Sequence, residues 1–199
     1  AGGEPLIMDE HYMILEKLIE AGRTDVLLRY NTNFSHIKFK KWDLQDLWSK
    51  FQKDPKGKVQ LFASLDATGK LAEVARHGTK WDTVYNNIKT CIADGIEVFV
   101  SPTISILNVF YVTDLFETIF KLGVKPDNIV FNNFLSGPPC YDIRILPDEL
   151  KDELLTKLQD YFNQLDKEEY KQAIEMVLSS WIQYLFSESP YDLLTLQIN

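Results

Sequence analysis

The chain has 199 residues, 45% of them hydrophobic and 25% charged, which suits one globular domain, or one and a fragment, and excludes a disordered tail, a collagen-like rod and a disulfide scaffold. Its formal charge is −8, and an acidic surface repels phosphate backbones, so no nucleic-acid partner is expected. No apolar window reaches the roughly 18 residues of a membrane span, because Ser101, Pro102, Thr103, Ser105 and Asn108 interrupt the most apolar stretch. No membrane partner and no signal peptide are expected. Cys91 and Cys140 form no CxxC pair, so neither a disulfide framework nor a metal site is signalled, and a reducing cytoplasm is the simplest setting. The basic run Lys38, Lys40, Lys41 reads as a solvated face.

In chain order, Asp9 is placed to cap a helix with Leu15, Leu18 and Ile19 on one side, stopped at Gly22. A β-like run follows over Val26–Asn31. A second helix is predicted from Asp43 to Phe51, with Leu44, Leu47, Trp48 and Phe51 on its buried face, and the turn Asp54-Pro55-Lys56-Gly57 ends it. The next strand is Val59–Leu65. After a polar loop comes a helix with a Thr79/Asp82 capping box and the stripe Trp81, Tyr85, Ile88, Ile92, closed by Gly95. A third strand, Glu97–Ile104, is nearly all apolar, as a strand covered on both faces should be. A helix over Thr113–Leu122 and a fourth strand, Asn128–Phe134, complete the βα rhythm. A short strand, Tyr141–Ile145, and two helices, Asp148–Asn163 and Lys167–Phe186, end the pattern. The aromatic residues Trp42, Phe51, Trp48, Trp81, Tyr85 and Trp181 sit at helix spacings and read as core.

Strands separated by helices of this length become parallel neighbours through right-handed crossovers. The expected fold is therefore α/β with parallel strands, and in such folds ligands bind at the carboxyl ends of the strands. The groups delivered there are Asn31, Thr32 and Asn33, then Ser64 and Asp66, then Ser101, Thr103 and Ser105, then Asn132 and Asn133. The opening Gly2-Gly3-Glu4-Pro5 precedes its helix as these loops precede theirs, and is expected at the same rim. Ala1 in place of Met, with no element before this turn, reads as a piece of a longer chain. No Ser-His-Asp or Cys-His arrangement and no GxxxxGK loop occurs, so no catalytic residue is assigned.

The ordered words Gly2-Gly3-Glu4-Pro5-Leu6, His11, Tyr30-Asn31-Thr32-Asn33, Ser64-Leu65-Asp66, Arg76-His77-Gly78-Thr79-Lys80-Trp81 and Asn87-Ile88 resemble the radical S-adenosylmethionine enzymes, most of all their twitch-domain-containing branch. Thr103-Ile104-Ser105 with Asn108-Val109, Pro138 to Asp142, and Leu146-Pro147 with Lys151 extend the resemblance, which covers about Gly2 to Trp181. It implies a partial (βα) barrel, incomplete at the N-terminus, over 1–146, with a C-terminal helical extension over 147–199. It also implies S-adenosylmethionine bound at a 4Fe-4S cluster on a CxxxCxxC loop. That loop is not in this sequence, so the fragment alone is expected to be inactive.

The resemblance assigns the cofactor contacts. Gly2 and Gly3 let the backbone approach the methionyl amine, and Glu4 offers that ammonium a carboxylate, its alternative role being a helix N-terminal acid. Ser64 matches a ribose or carboxylate contact. Arg76 matches the fork on the cofactor carboxylate, against the alternative of a surface ion pair. Asn31, Thr32 and Asn33 line the cofactor and substrate side; Asp66 lies at the rim or caps the following turn; Ser101 and Thr103 flank the adenine or satisfy backbone groups. His11 and His77 match the words but read as structural, and Cys140 as a small buried residue. The implied parent cleaves S-adenosylmethionine reductively, abstracts hydrogen from a substrate of which peptides are one class, and draws its electron from a reductant protein. The alternative is a cluster-less α/β domain that binds a nucleotide-like ligand or a protein.

Overall fold

A computed structural model describes residues 4–130 and 132–187; Gly2, Gly3 and Phe131 fall outside them. Among the described residues, helix α1 (Asp9–Glu20) leads to strand β1 (Leu27–Thr32), a small hairpin of β2 (Lys38–Phe39) and β3 (Trp42–Asp43), and helix α2 (Leu44–Gln52). Then come β4 (Lys58–Ala63), α3 (Gly69–Ala75), α4 (Trp81–Ala93), β5 (Glu97–Val100), α5 (Val112–Leu122), α6 (Asp148–Gln164) and α7 (Glu168–Leu185). The main sheet is parallel, in the order β1-β4-β5. The fold is mixed α/β.

Local chemistry explains most of the boundaries. The Asp43 carboxylate accepts the Gln45 amide at 3.0 Å and starts α2, whose Leu44, Leu47, Trp48 and Phe51 are buried as their spacing requires. Gly123, at φ 85°, ends α5 in the left-handed conformation that favours glycine. Asp9 is the first residue of α1 rather than its cap, which is Met8. The proposed Thr79/Asp82 box is not used either. Lys80 is the N-cap of α4, and the Trp81 amide is satisfied from α3 by Glu73 Oε1 at 2.9 Å. On α4 the fully buried positions are Val84, Ile88 and Cys91, with Trp81, Tyr85 and Ile92 packed around them.

Three strand expectations are corrected. The third strand stops at Val100, and the predicted fourth strand reduces to two isolated parallel bridges, Val100 with Ile129 and Ile104 with Phe134. Residues Tyr141–Ile145 form two 3-10 turns, Pro139–Tyr141 and Ile143–Ile145, because the Asp142 carboxylate accepts the Arg144 amide and tightens the chain there. The sheet is also not covered equally. Register places Tyr30, Leu61 and Val98 on one face, buried against α1 and α2 through His11 and Trp48. On the opposite face Leu27, Arg29 and Asn31 are exposed, and Phe62 and Phe99 are half-buried.

That second face is ordered by its own side chains. Register partners Arg29, Gln60 and Glu97 form a chain, Arg29 Nη2 donating to Gln60 Oε1 at 2.9 Å and Gln60 Nε2 to Glu97 Oε2 at 2.6 Å. Lys58 Nζ reaches the same Glu97 oxygen at 2.7 Å, and the hydrogen bonds from Lys58 and Gln60 hold the Glu97 carboxyl below its ordinary range. One layer nearer the carboxyl ends, Phe62 and Phe99 stack at 4.5 Å.

Candidate functional site at the strand ends

Glu4 lies where the sheet rule places it. Its carboxylate accepts the Leu6 amide at 3.3 Å and, across the fold, the Asn33 amide at 3.0 Å, which anchors the segment before α1 to the exit of β1. Asn31 is exposed, whereas Thr32 is buried, its Oγ1 accepting the Phe34 amide and its carbonyl the Ser64 amide, both at 3.0 Å. Asn33 Oδ1 accepts the Ser35 amide at 2.9 Å in a local turn. Thr32 and Asn33 thus shape the rim with their side chains.

Asp66 is the hub of the next part. Its Oδ2 takes Arg76 Nε at 2.8 Å, and its Oδ1 takes the Thr103 amide at 2.8 Å. The ion pair is sheltered, the Asp66 side chain being 14% exposed and Arg76 36%. Arg76 therefore has an acidic partner within the protein, and Asp66 links the β4 exit to the β5 exit instead of capping its own turn. Thr103 Oγ1 accepts Asn133 Nδ2 at 3.1 Å, and the Ser101 amide donates to the Ala63 carbonyl at 3.1 Å.

The residue that locks these loops is one to which the sequence assigns no role. Asn108, 4% exposed, donates through Nδ2 to the carbonyls of Asp66 and Thr103, both at 2.8 Å, while its Oδ1 accepts the Ser105 amide at 2.8 Å. Its local signal is the Ser105-x-x-Asn108 spacing, which suits a side-chain turn. Also unforeseen was the fully buried Asp142, held by Arg144 Nη2 at 2.5 Å and by the Tyr184 hydroxyl at 3.3 Å. Burial works to raise the Asp142 carboxyl, but the Arg144 and Tyr184 hydrogen bonds outweigh it and the net shift is downward.

His11 is half-buried beside the core. Its Nε2 lies 3.0 Å from the Tyr30 hydroxyl, its ring packs edge-on against Tyr12 and Tyr30, and burial pulls its pKa down to about 4. His77 is exposed in the turn after α3. Cys91 is buried, which pushes its thiol up to about 12, whereas Cys140 is exposed and not the buried residue expected. Lys38, Lys40 and Lys41 are each paired with an acid, Asp43, Asp9 and Glu16 respectively.

Among the described residues no three His, Cys, Asp or Glu side chains converge on a metal position, and no helix is long and apolar enough to cross a membrane. Compared with known proteins, the chain matches no family model and no curated protein.

Proposed function

We propose that this chain is the S-adenosylmethionine-binding part of a radical S-adenosylmethionine enzyme, built on a partial (βα) barrel. The observation that carries the reading is the make-up of the rim, where the carboxylates of Glu4 and Asp66 and the guanidinium of Arg76 stand at the ends of parallel strands. Their sum is one negative charge. S-adenosylmethionine, with an ammonium, a sulfonium and a carboxylate, carries one positive charge, so the two are complementary.

The capacity for hydrogen bonding also fits. A carboxylate accepts at about four positions, and Glu4 uses two of them on backbone amides, which leaves room for an ammonium. Arg76 meets Asp66 through Nε, so its Nη groups suit the cofactor carboxylate. Ser64 and Ser101 supply hydroxyls for the ribose, and Asn31 and Asn33 stand on the same side. The order β1-β4-β5, continued in the same direction by the Ile129 bridge, supports a barrel over a doubly wound sheet, which would reverse its order midway.

The 4Fe-4S cluster does not fit these residues. It needs three thiolates from one loop, and this chain has two cysteines, one buried and one exposed. Its ligands, the reductant protein and the substrate, with peptides as one class, belong to the cluster-bearing enzyme, and no chemical step is derived through the cluster. When bound, the cofactor would supply a labile sulfonium–carbon bond. The role of this chain is to bind and orient it. The same thiol placement favours the second reading, a cluster-less domain that binds the ligand without redox chemistry.

Calorimetric titration tests the assignment. S-adenosylmethionine should bind saturably and more tightly than ATP, and Arg76→Ala and Glu4→Ala should each weaken it about ten- to a hundredfold through loss of a charge-assisted contact. Absence of saturable binding, or variants that bind like the parent, would overturn the reading. Iron and sulfide assays after anaerobic reconstitution should find far less than one cluster per chain.

A further inference from the structure

A second cleft opens beside the rim, between α7 and the chain that follows the Ile129 bridge. It is an open cleft of about 560 Å³ lined by Asn132, Ser136, Ser180, Gln183, Arg144 and the Phe134–Tyr184 pair. We propose that it is a binding site for a neutral polyhydroxylated ligand, a saccharide, and this inference does not depend on the cofactor assignment above.

Charge is the first discriminator. Among the described residues, the ionised side chain lining the cleft is Arg144, and it is spent on the fully buried Asp142, with Nε at 3.0 and 3.1 Å from the two carboxylate oxygens and Nη2 at 2.5 Å from Oδ2. A phosphate or carboxylate ligand would have to compete with that carboxylate for its counter-charge. Among the described residues, the lining offers a cationic ligand no acidic group.

The aromatic pair narrows the choice further. Tyr184 stacks on Phe134 at 3.9 Å, the Arg144 guanidinium lies over the Tyr184 ring at 4.7 Å, and Trp181 packs against Phe134 at 5.8 Å. Tyr184 is thus engaged by the protein's own Phe134 and Arg144, and the pair serves as an apolar wall.

What the cleft does present is side-chain amides and hydroxyls. Asn132, Ser136, Ser180 and Gln183 line it, and the side chain of each is able to donate and to accept. Anion sites need donors and cation sites need acceptors. A mixed neutral set matches a ligand whose own groups both donate and accept, which describes sugar hydroxyls. The volume is within the usual range for a small-molecule site and admits one or two sugar rings.

The test is saturation-transfer NMR and titration of the chain with glucose, N-acetylglucosamine and maltose. At least one should bind saturably. Gln183→Ala and Asn132→Ala, both at exposed positions, should each weaken it about fivefold, the effect of one neutral hydrogen bond. Ser180→Trp should fill the cleft and abolish binding, with circular dichroism to confirm that the variant folds; Gln183→Ala keeps the test decisive if it does not. No saturable binding by any of the three sugars, or binding that Gln183→Ala and Asn132→Ala leave unchanged, overturns the proposal. So does stronger binding of sulfate or of an extended peptide at the same residues.

Discussion

Asn108 and Asp66 meet across 42 residues of sequence, the Asn108 Nδ2 donating to the Asp66 carbonyl at 2.8 Å. The same amide nitrogen holds the Thr103 carbonyl, so a single buried side chain sets the separation of two strand-end loops. Replacement by alanine would leave two carbonyls and the Ser105 amide without these partners. Asn108→Ala should therefore destabilise the fold by about 2–4 kcal/mol. Urea unfolding measures this directly, and a change below about 0.5 kcal/mol would show the loops to be held by other means.

The Asp142–Arg144 pair predicts an asymmetric mutational response. Arg144→Met strands a carboxylate that is 0% exposed and should cost about 3–5 kcal/mol, whereas pairing it with Asp142→Asn should recover much of that loss. Because the folded carboxyl titrates below its ordinary value, its contribution is present above that value and is lost as pH falls through the depressed one. Acid unfolding of the parent should thus show a component that Asp142→Asn lacks. Identical acid profiles would contradict the assignment.

His11 acts in a different pH window. With its pKa down at about 4 against an ordinary 6.5, the unfolded chain binds the extra proton first, so stability declines as pH falls from 6.5 towards 4 and levels off below. His11→Gln should flatten that slope, read from thermal melts at half-unit pH steps. The imidazole resonances should give a midpoint near 4, and a midpoint above 6 would contradict the buried, Tyr30-bound setting.

Gly57 predicts a steric outcome. A β-carbon there would fall inside van der Waals contact of the Phe51 and Thr24 carbonyl oxygens, so the turn into β4 can pass only without a side chain. Gly57→Ala should cost about 2 kcal/mol or more, with an unchanged melting temperature as the contrary result.

The elements that sequence made legible are those with local causes. Asp43 caps α2 within two residues, Gly123 stops α5 by its own conformation, and the apolar stripes sit within single helices. The β2–β3 hairpin turns at Lys40, φ 51°, a residue type that carries no turn signal, and α3 begins at Gly69, which reads as loop. The site divides the same way. Placement of Glu4, Asp66 and Thr103 at one rim follows from the parallel-sheet rule, but the Asp66–Thr103 bond joins positions 37 apart, and Asn108, five residues beyond Thr103 in the same loop, converges on both. Side-chain convergence of that kind has no periodic trace in a sequence.

The two thiols differ in a way that has a practical use. Burial holds the Cys91 sulfur in its unreactive protonated form, while Cys140 stands exposed on the short turn ahead of Asp142 and Arg144. A maleimide fluorophore or nitroxide would thus attach to one position of the unaltered chain and report from the turn four residues before Arg144, which lines the second cleft. Occupancy of that cleft, and any movement of the strand-end loops beside it, could be followed optically without introducing or removing a single residue.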